Sequence, residues 1–192
     1  MYRCLRAALG ALLFAVAASA TAMSQAAHDY VLRIKEHGDA GALPYAVVDK
    51  RSAELHVYDA HGRLAGSTPV LLGSTFGDHI VPGVGERAQR GAVRADERTT
   101  PAGRFKAFAG RNNTGERVVW VDYESAFAIH RLRPGRSFKT RVGRLALPGA
   151  EGKRVSEGCV VVPAAFYDAV VLPVLGHGRS IVYVMPEAQQ DL

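Results

Sequence analysis

The chain has 192 residues, of which 48% are hydrophobic, and its 24 Lys and Arg against 18 Asp and Glu give a formal net charge of +6. This length is sufficient for one well-buried domain and too short for two of ordinary size. The modest positive charge favours an anionic polymer as partner, whereas nucleic acid is not expected because no recognisable reading motif is present.

The N-terminus has the pattern of an export signal. Arg3 and Arg6 precede an uncharged, Ala- and Leu-rich run over residues 7–18, and two Ala-x-Ala sites follow between Ala18 and Ala22. This order predicts a cleaved signal peptide over residues 1–22 and a periplasmic protein with no stable membrane insertion after cleavage. Retention as a membrane anchor is the alternative, although a spanning helix needs roughly twenty apolar residues.

The rest of the chain is predicted to comprise a lead-in segment (23–44), one domain (45–186) and a tail (187–192). Short β-branched and aromatic runs separated by turn residues dominate from Tyr45 onward, which is typical of an antiparallel sheet. In chain order, strands are predicted over residues 45–49, 54–58, 64–72, 104–109, 117–123, 126–132 and 180–185.

Helical spacing follows Pro163 over residues 164–172, with Pro173 as the predicted stop. A weaker helical pattern covers residues 28–38. Two segments without clear elements, 73–99 and 133–155, are long for loops in a compact domain, and such loops are usually functional or disordered. The predicted fold class is therefore mainly β, an antiparallel sheet in a sandwich or barrel-like arrangement with one or two short helices.

One cysteine, Cys159, would remain after cleavage, because Cys4 lies in the predicted leader. A lone thiol has no partner for an internal disulfide, and in an oxidising compartment it is exposed to oxidation. Cys159 follows Gly158 between a turn and an apolar run, so its sulfur can be presented at a strand end. The alternative is a buried, inert cysteine that packs like a small apolar side chain.

A cysteine nucleophile needs a base, and the usual partner is an imidazole that is near in space and distant in sequence. His130 follows an apolar run, so a strand end can hold its ring, whereas His56 lies mid-strand and is expected to pack in the core. The N–H groups of Gly158 and Cys159 are candidate oxyanion donors, and Ser156 is a structural or orienting partner. No metal is required, and the scattered histidines lack the ligand spacing of a zinc hydrolase.

Four segments follow one another in a distinctive order. The first segment comprises the opening strands, over residues 46–59 and 68–73. The second is Thr100-Pro101-Ala102-Gly103-Arg104-Phe105, the third is His130, and the fourth is Ser156-Glu157-Gly158-Cys159. Together they resemble the L,D-transpeptidase family with the YkuD-type catalytic domain, in its first strands, its Thr-Pro-x-Gly-x-Phe element, its histidine and its Ser-x-Gly-Cys block. The resemblance covers roughly residues 45–185.

The resemblance implies a mostly β catalytic domain without a cofactor. Cys159 would attack the bond between a diamino acid and a terminal D-alanine in a peptidoglycan stem peptide, with His130 as base. The resulting acyl group would pass to an amine of an acceptor stem or of a protein. An L,D-carboxypeptidase or amidase that uses water, and a non-catalytic wall-binding module, are the alternatives. The sequence does not indicate the oligomeric state.

The chain departs from the family pattern at three places. Glu157 stands where histidine is frequent, Val161 or Val162 where asparagine or arginine is frequent, and the stretch from His130 to Ser156 is longer than usual. That stretch is strongly basic, and we expect it to favour the thiolate and to hold substrate carboxylates, with Arg131 and Arg154 as the expected substrate-binding residues. A solvated basic loop is the alternative. Its basic residues are Arg131, Arg133, Arg136, Lys139, Arg141, Arg144, Lys153 and Arg154, against the single acid Glu151.

Overall fold

The computed structural model describes residues 23–187, so the predicted signal peptide and residues 188–192 of the predicted tail lie outside the described residues. The strands are β1 (Tyr45–Asp49), β2 (Glu54–Tyr58), β3 (Leu64–Pro69), β4 (Leu72–Gly73), β5 (Gly103–Arg111), β6 (Arg117–Asp122), β7 (Phe127–Arg131), β8 (Arg154–Ser156), β9 (Val160–Val162) and β10 (Arg179–Val184).

The helical segments are short. They are α1 (Gln25–Glu36), α2 (Val84–Gln89), α3 (Phe138–Leu145), α4 (Ala164–Phe166) and α5 (Leu172–Leu175), with 3-10 turns at Ala95–Glu97 and Glu151–Lys153 and a π-helical turn at Tyr167–Val171. Within residues 23–187, none of the helices is long and apolar enough to cross a bilayer.

Eight strands form one sheet in the order β3-β2-β1-β10-β5-β6-β7-β9, and β4 pairs with β8. The prediction of a mainly β, barrel-like fold is confirmed, although the described residues contain more short helices than the one or two predicted. The large sheet is mixed, because β1 with β10 and β7 with β9 run parallel while its other pairs are antiparallel. A parallel pair such as β7 and β9 requires a long crossover connection. The strongly basic stretch over residues 131–154, called the basic insert below, contains α3 and supplies this connection.

The large sheet is nearly barrel-shaped, because the chain leaving one edge strand reaches the opposite edge within a few residues. β3 ends at Pro69, and Leu71 then exchanges both backbone hydrogen bonds with Val161 in β9, at 2.8 and 2.9 Å. The predicted strand over residues 64–72 is therefore two strands, since the chain changes partner between Pro69 and Leu72. This closure brings β4 and β8 beside the start of β9.

Both faces of the sheet are buried near β1, and its residues alternate between two clusters as a strand requires. Ala46 and Val48 face the larger core, which is shared with α4 and α5, while Tyr45 and Val47 face α1. Helix α1 covers that second face through Ala27, Val31 and Ile34. Residues 23–44 therefore contribute to the same folded unit as the sheet.

Two helices differ from the predicted bounds for physical reasons. Helix α1 begins before residue 28 because Ser24 is its N-cap and accepts the N–H of Ala27 at 3.1 Å. The predicted stop at Pro173 is wrong, since the chain remains helical to Leu175. The π-helical turn ends at Val171, and Pro173 lies in the first turn of α5, where a residue that cannot donate a backbone hydrogen bond is tolerated.

Candidate active site

Strand pairing brings Cys159 and His130 to one face of the sheet. In the parallel pair β7 and β9, Ile129 is opposite Val160 and His130 is opposite Val161. Side chains alternate along a strand, so His130 shares its face with Val161, and Cys159, two residues before Val161, lies on the same face. Strand spacing and rise put such diagonal positions about 8 Å apart at Cα, which an imidazole and a thiol can span.

The segment before Cys159 is fixed by hydrogen bonds to neighbouring loops. The hydroxyl of Ser156 accepts the N–H of Gly158 at 3.1 Å and donates to the carbonyl of Cys159 at 2.7 Å. Thr100 donates to the carbonyl of Gly158 at 2.8 Å and accepts the N–H of Gly73. The contacts of Ser156 fit an orienting role for this residue. The hydrogen bonds of Thr100 connect the Thr-Pro-x-Gly-x-Phe element to the segment that carries Cys159.

Gly158 occupies a conformation that other residues rarely adopt. Its φ is +127°, and a Cβ there would lie 2.8 Å from the carbonyl oxygen of Thr99. Its N–H is held by Ser156, so the expectation that this amide donates to an oxyanion does not fit the observed hydrogen bonding. The role of Gly158 is conformational, and the amide of Cys159 is the remaining backbone donor candidate.

The hydrogen bond of His130 determines which ring nitrogen can act as a base. Nδ1 lies 2.9 Å from the carbonyl oxygen of Arg131. A carbonyl can only accept, so Nδ1 carries the proton and Nε2 of the neutral ring keeps its lone pair. Burial, together with the charges of Arg133 and Arg141, lowers the pKa of His130 to about 4, against the raising effect of this hydrogen bond. At neutral pH the imidazole is therefore uncharged.

The Cys159 thiol is also neutral at rest. Burial raises its pKa and Glu157 adds to this effect, while a backbone hydrogen bond with Ala128 and the charge of Arg133 oppose it. The sulfur donates to the carbonyl of Ala126 at 3.5 Å, and Ala126 is one of two non-glycine residues with positive φ in residues 23–187. Arg133 of the basic insert thus favours the thiolate, as expected, but the larger effect of burial keeps the pKa of Cys159 raised.

Two cavities meet at Cys159. The larger, about 480 Å³, is also lined by His130, Ala128 and Val161, by Trp120 and Tyr123, and by residues of the basic insert. The smaller, about 90 Å³, is lined by segment 73–99, including Ile80, Val84 and Val93. Cys159 thus contributes to the walls of both cavities.

Arg131 does not line either cavity. It follows His130 in β7, and successive strand residues point to opposite faces. Its Nε lies 2.6 Å from Oε1 of Glu116, and Nη1 lies 3.8 Å from Asp168. The structure therefore does not bring Arg131 to the cavities beside Cys159.

Arg154 is a structural residue in the described part of the chain. Its side chain is 3% exposed, its Nη2 lies 2.6 Å from Oε2 of Glu187, and its guanidinium stacks on Phe76 at 4.0 Å from the ring centroid. The buried Lys50 joins the same cluster through Asp78 and Glu187. The structure therefore does not bring Arg154 to the cavities beside Cys159, because Glu187 and Phe76, which are distant in sequence, enclose it.

The insert does bring other basic side chains to the cavity, and the sequence did not single them out. Arg133 and Arg141 line it together with Ser137, near the N-terminal end of α3. The helical spacing of residues 138–145 was the signal that could have indicated which face of the insert turns inward.

No group of three or more His, Cys, Asp and Glu that could hold a metal ion is found in residues 23–187.

No family model matches the chain, and no curated protein matches it. Several solved structures are similar to it at low identity. The catalytic domain of an E. faecium L,D-transpeptidase has 19% identity and a TM-score of 0.41, over 75% of this chain and 98% of that one. The L,D-transpeptidase from Stackebrandtia nassauensis has 18% identity and a TM-score of 0.41, over 76% and 57%.

A third similar structure is the L,D-transpeptidase LdtMt1 in complex with imipenem, with 18% identity and a TM-score of 0.40, over 74% of this chain and 58% of that one. All three are L,D-transpeptidases. The match spans a little over half the length of the two longer chains.

Proposed function

We propose that this protein is a cysteine-dependent L,D-transpeptidase that acts on peptidoglycan stem peptides. The observation that carries the proposal is the placement of Cys159 and His130 on one face of the parallel pair β7 and β9, in one cavity. The ordered motifs that surround them support the same conclusion, because Thr100 and Ser156 hold the cysteine segment in place.

The first half-reaction starts from the neutral pair. Nε2 of His130 accepts the thiol proton as the sulfur of Cys159 attacks the carbonyl carbon of the donor stem. The amide of Cys159 is the candidate donor to the oxyanion. The carbon–nitrogen bond then breaks, and the leaving amine of the terminal D-alanine takes the proton from His130.

The second half-reaction resolves the thioester. An acceptor amine loses a proton to His130 as it attacks the acyl carbon, and the thiol of Cys159 regains that proton when the carbon–sulfur bond breaks. The two cavities that meet at Cys159 suit a donor and an acceptor. Neither half-reaction requires a cofactor.

Muropeptide analysis tests this function. Incubation of the protein with stem tetrapeptides, followed by mass spectrometry, should give cross-linked dimers in which the donor has lost its terminal D-alanine. Shortened stems without dimers would indicate a hydrolase of the L,D-carboxypeptidase type instead. Absence of both, together with retained binding of the peptide, would indicate a wall-binding module.

We also propose that the protein acts in the periplasm, because the leader pattern at residues 1–22 supports export and peptidoglycan lies there. N-terminal sequencing of the protein from the cell envelope should find a chain that starts near residue 23. An intact Met1 in that fraction would contradict cleavage.

A further inference from the structure

Two guanidinium groups in the larger cavity have no part in the mechanism above. Arg133 and Arg141 line the cavity together with Cys159 and His130. Arg133 forms an ion pair with Glu116, which also pairs with Arg131. Nε of Arg141 is buried and has no hydrogen-bond partner in the part of the chain that the structure describes. The charge of Arg141 is therefore not matched by a neighbouring carboxylate.

The two cations act on each other and on the catalytic pair. Burial and the charge of Arg133 lower the pKa of Arg141, and both arginines lower the pKa of His130. Placing two like charges side by side in a partly buried wall is unfavourable. An anion between them would remove that repulsion and satisfy the unpaired donor.

The remainder of the cavity wall favours an anion with an apolar neighbour. Glu157 is the only acid that lines the cavity, and its carboxylate lies 3.6 Å from Arg98. Ser137 and Asn113 add neutral polar groups, while Val161 and Ala128 form an apolar surface beside the thiol. A ligand that carries a small side chain next to a carboxylate matches this arrangement.

We propose that Arg133 and Arg141 bind the terminal carboxylate of the donor stem peptide. The proposal rests on the proposed function, in which Cys159 attacks the bond that precedes the terminal residue. In such a peptide only the amide nitrogen and one Cα separate the attacked carbonyl carbon from the carboxylate. The groups that bind this carboxylate must therefore lie in the same cavity as the thiol, as these two arginines do. Their binding restricts attack to a bond one residue from a free C-terminus.

Binding can be measured without chemistry in the Cys159→Ala variant of the full chain. Isothermal titration with a stem tetrapeptide and with its C-terminal carboxamide should show the acid binding about tenfold to hundredfold more tightly, the range for charge-assisted hydrogen bonds. Adding Arg141→Gln should remove most of this preference, whereas Arg141→Lys should retain part of it. Arg136→Gln is the matched control, because Arg136 is exposed on the same insert outside the cavity.

The results separate this proposal from the proposed function. Equal affinity for acid and amide, or an equal loss of preference in Arg136→Gln and Arg141→Gln, would overturn the carboxylate site. If the preference depends on Arg141 but the unmodified chain forms no thioester with the same tetrapeptide, the carboxylate site stands and the proposed enzyme function fails. Failure of both peptides to bind would overturn both.

Discussion

Nδ1 of His130 lies 2.9 Å from the carbonyl oxygen of Arg131, the next residue in β7. This contact leaves Nε2 as the basic nitrogen, and burial keeps the ring uncharged with a pKa of about 4. The thiol of Cys159 is neutral as well, because burial raises its pKa. The resting site is thus a neutral thiol and a neutral imidazole, and in the proposed mechanism the proton moves only as the sulfur attacks.

The pH dependence of acylation follows from this pair. The rate constant for acylation at low substrate reports the pKa values of the free enzyme, so we expect it to stay level from neutral pH to about pH 5 and to fall near the His130 pKa of about 4. Stopped-flow measurement of acylation across this range checks the prediction. An acid limb centred on the ordinary histidine value of 6.5 would contradict it.

The same lowered pKa makes stability depend on pH. Between pH 6.5 and about 4 the unfolded chain binds a proton at His130 and the folded chain does not, so stability falls as pH decreases through this window. The full contribution is about 3 kcal/mol at 1.36 kcal/mol per pKa unit. Urea unfolding of the wild type and of His130→Gln at pH 4.5 and 7.5 should show a smaller pH dependence in the variant. Equal dependence would refute this source of acid sensitivity.

Gly158→Ala should damage both the fold and the site. The substitution places a Cβ 2.8 Å from the carbonyl of Thr99 at a φ of +127°, and strain of this kind costs about 1–3 kcal/mol before the steric clash is added. We expect a lower free energy of unfolding and slower acylation of Cys159. Gly143→Ala in α3 is the control, since its Cβ would meet nothing within 4 Å and alanine favours a helix. Equal behaviour of the two variants would show that Gly158 has no special role.

Arg154→Met should destabilise the protein without changing substrate preference. The substitution breaks the ion pair between Arg154 and Glu187, so that Lys50 is the remaining buried cation beside Glu187 and Asp78. Breaking a buried ion pair costs about 3–5 kcal/mol of stability. Chemical unfolding measures the loss, and acylation rates of the acid and amide tetrapeptides, taken where the variant is folded, measure the preference. A variant with native stability but altered acid–amide preference would restore the substrate role that the sequence suggested.

The elements that depend on local pattern were predictable from the sequence. The strand that contains His130 and the apolar run that begins after Cys159 follow from the local sequence, and the mainly β fold follows from the whole set. The partners of charged residues were not predictable, because they depend on tertiary contacts. Arg131 and Arg154 were expected at the site, yet Glu116 and Glu187 hold them elsewhere.

For the basic insert as well, the sequence indicated its composition but not its tertiary contacts. Its charge suggested a substrate-binding role, but the helical spacing of Phe138–Leu145 does not by itself show that this helix packs beside the cavity. Without that packing, Arg141 could not be distinguished from Arg136, although only Arg141 lines the cavity. The parallel pairing of β7 and β9 was also not evident, since strand direction depends on the crossover and not on strand composition.

The most direct test of the account is the intact mass of the protein after exposure to a carbapenem, a strained amide that acylates cysteine nucleophiles of this type. The wild type should gain the mass of one carbapenem, mapped to Cys159 by peptide analysis, and Cys159→Ala should gain none. His130→Ala should acylate about two to four orders of magnitude more slowly. His56→Ala, which removes a buried ring bonded to Ser67 at 2.8 Å, should lose stability but keep the rate when folded. Acylation of Cys159→Ala at the wild-type rate, or a wild type that stays unmodified, would contradict the assignment of Cys159 as the nucleophile.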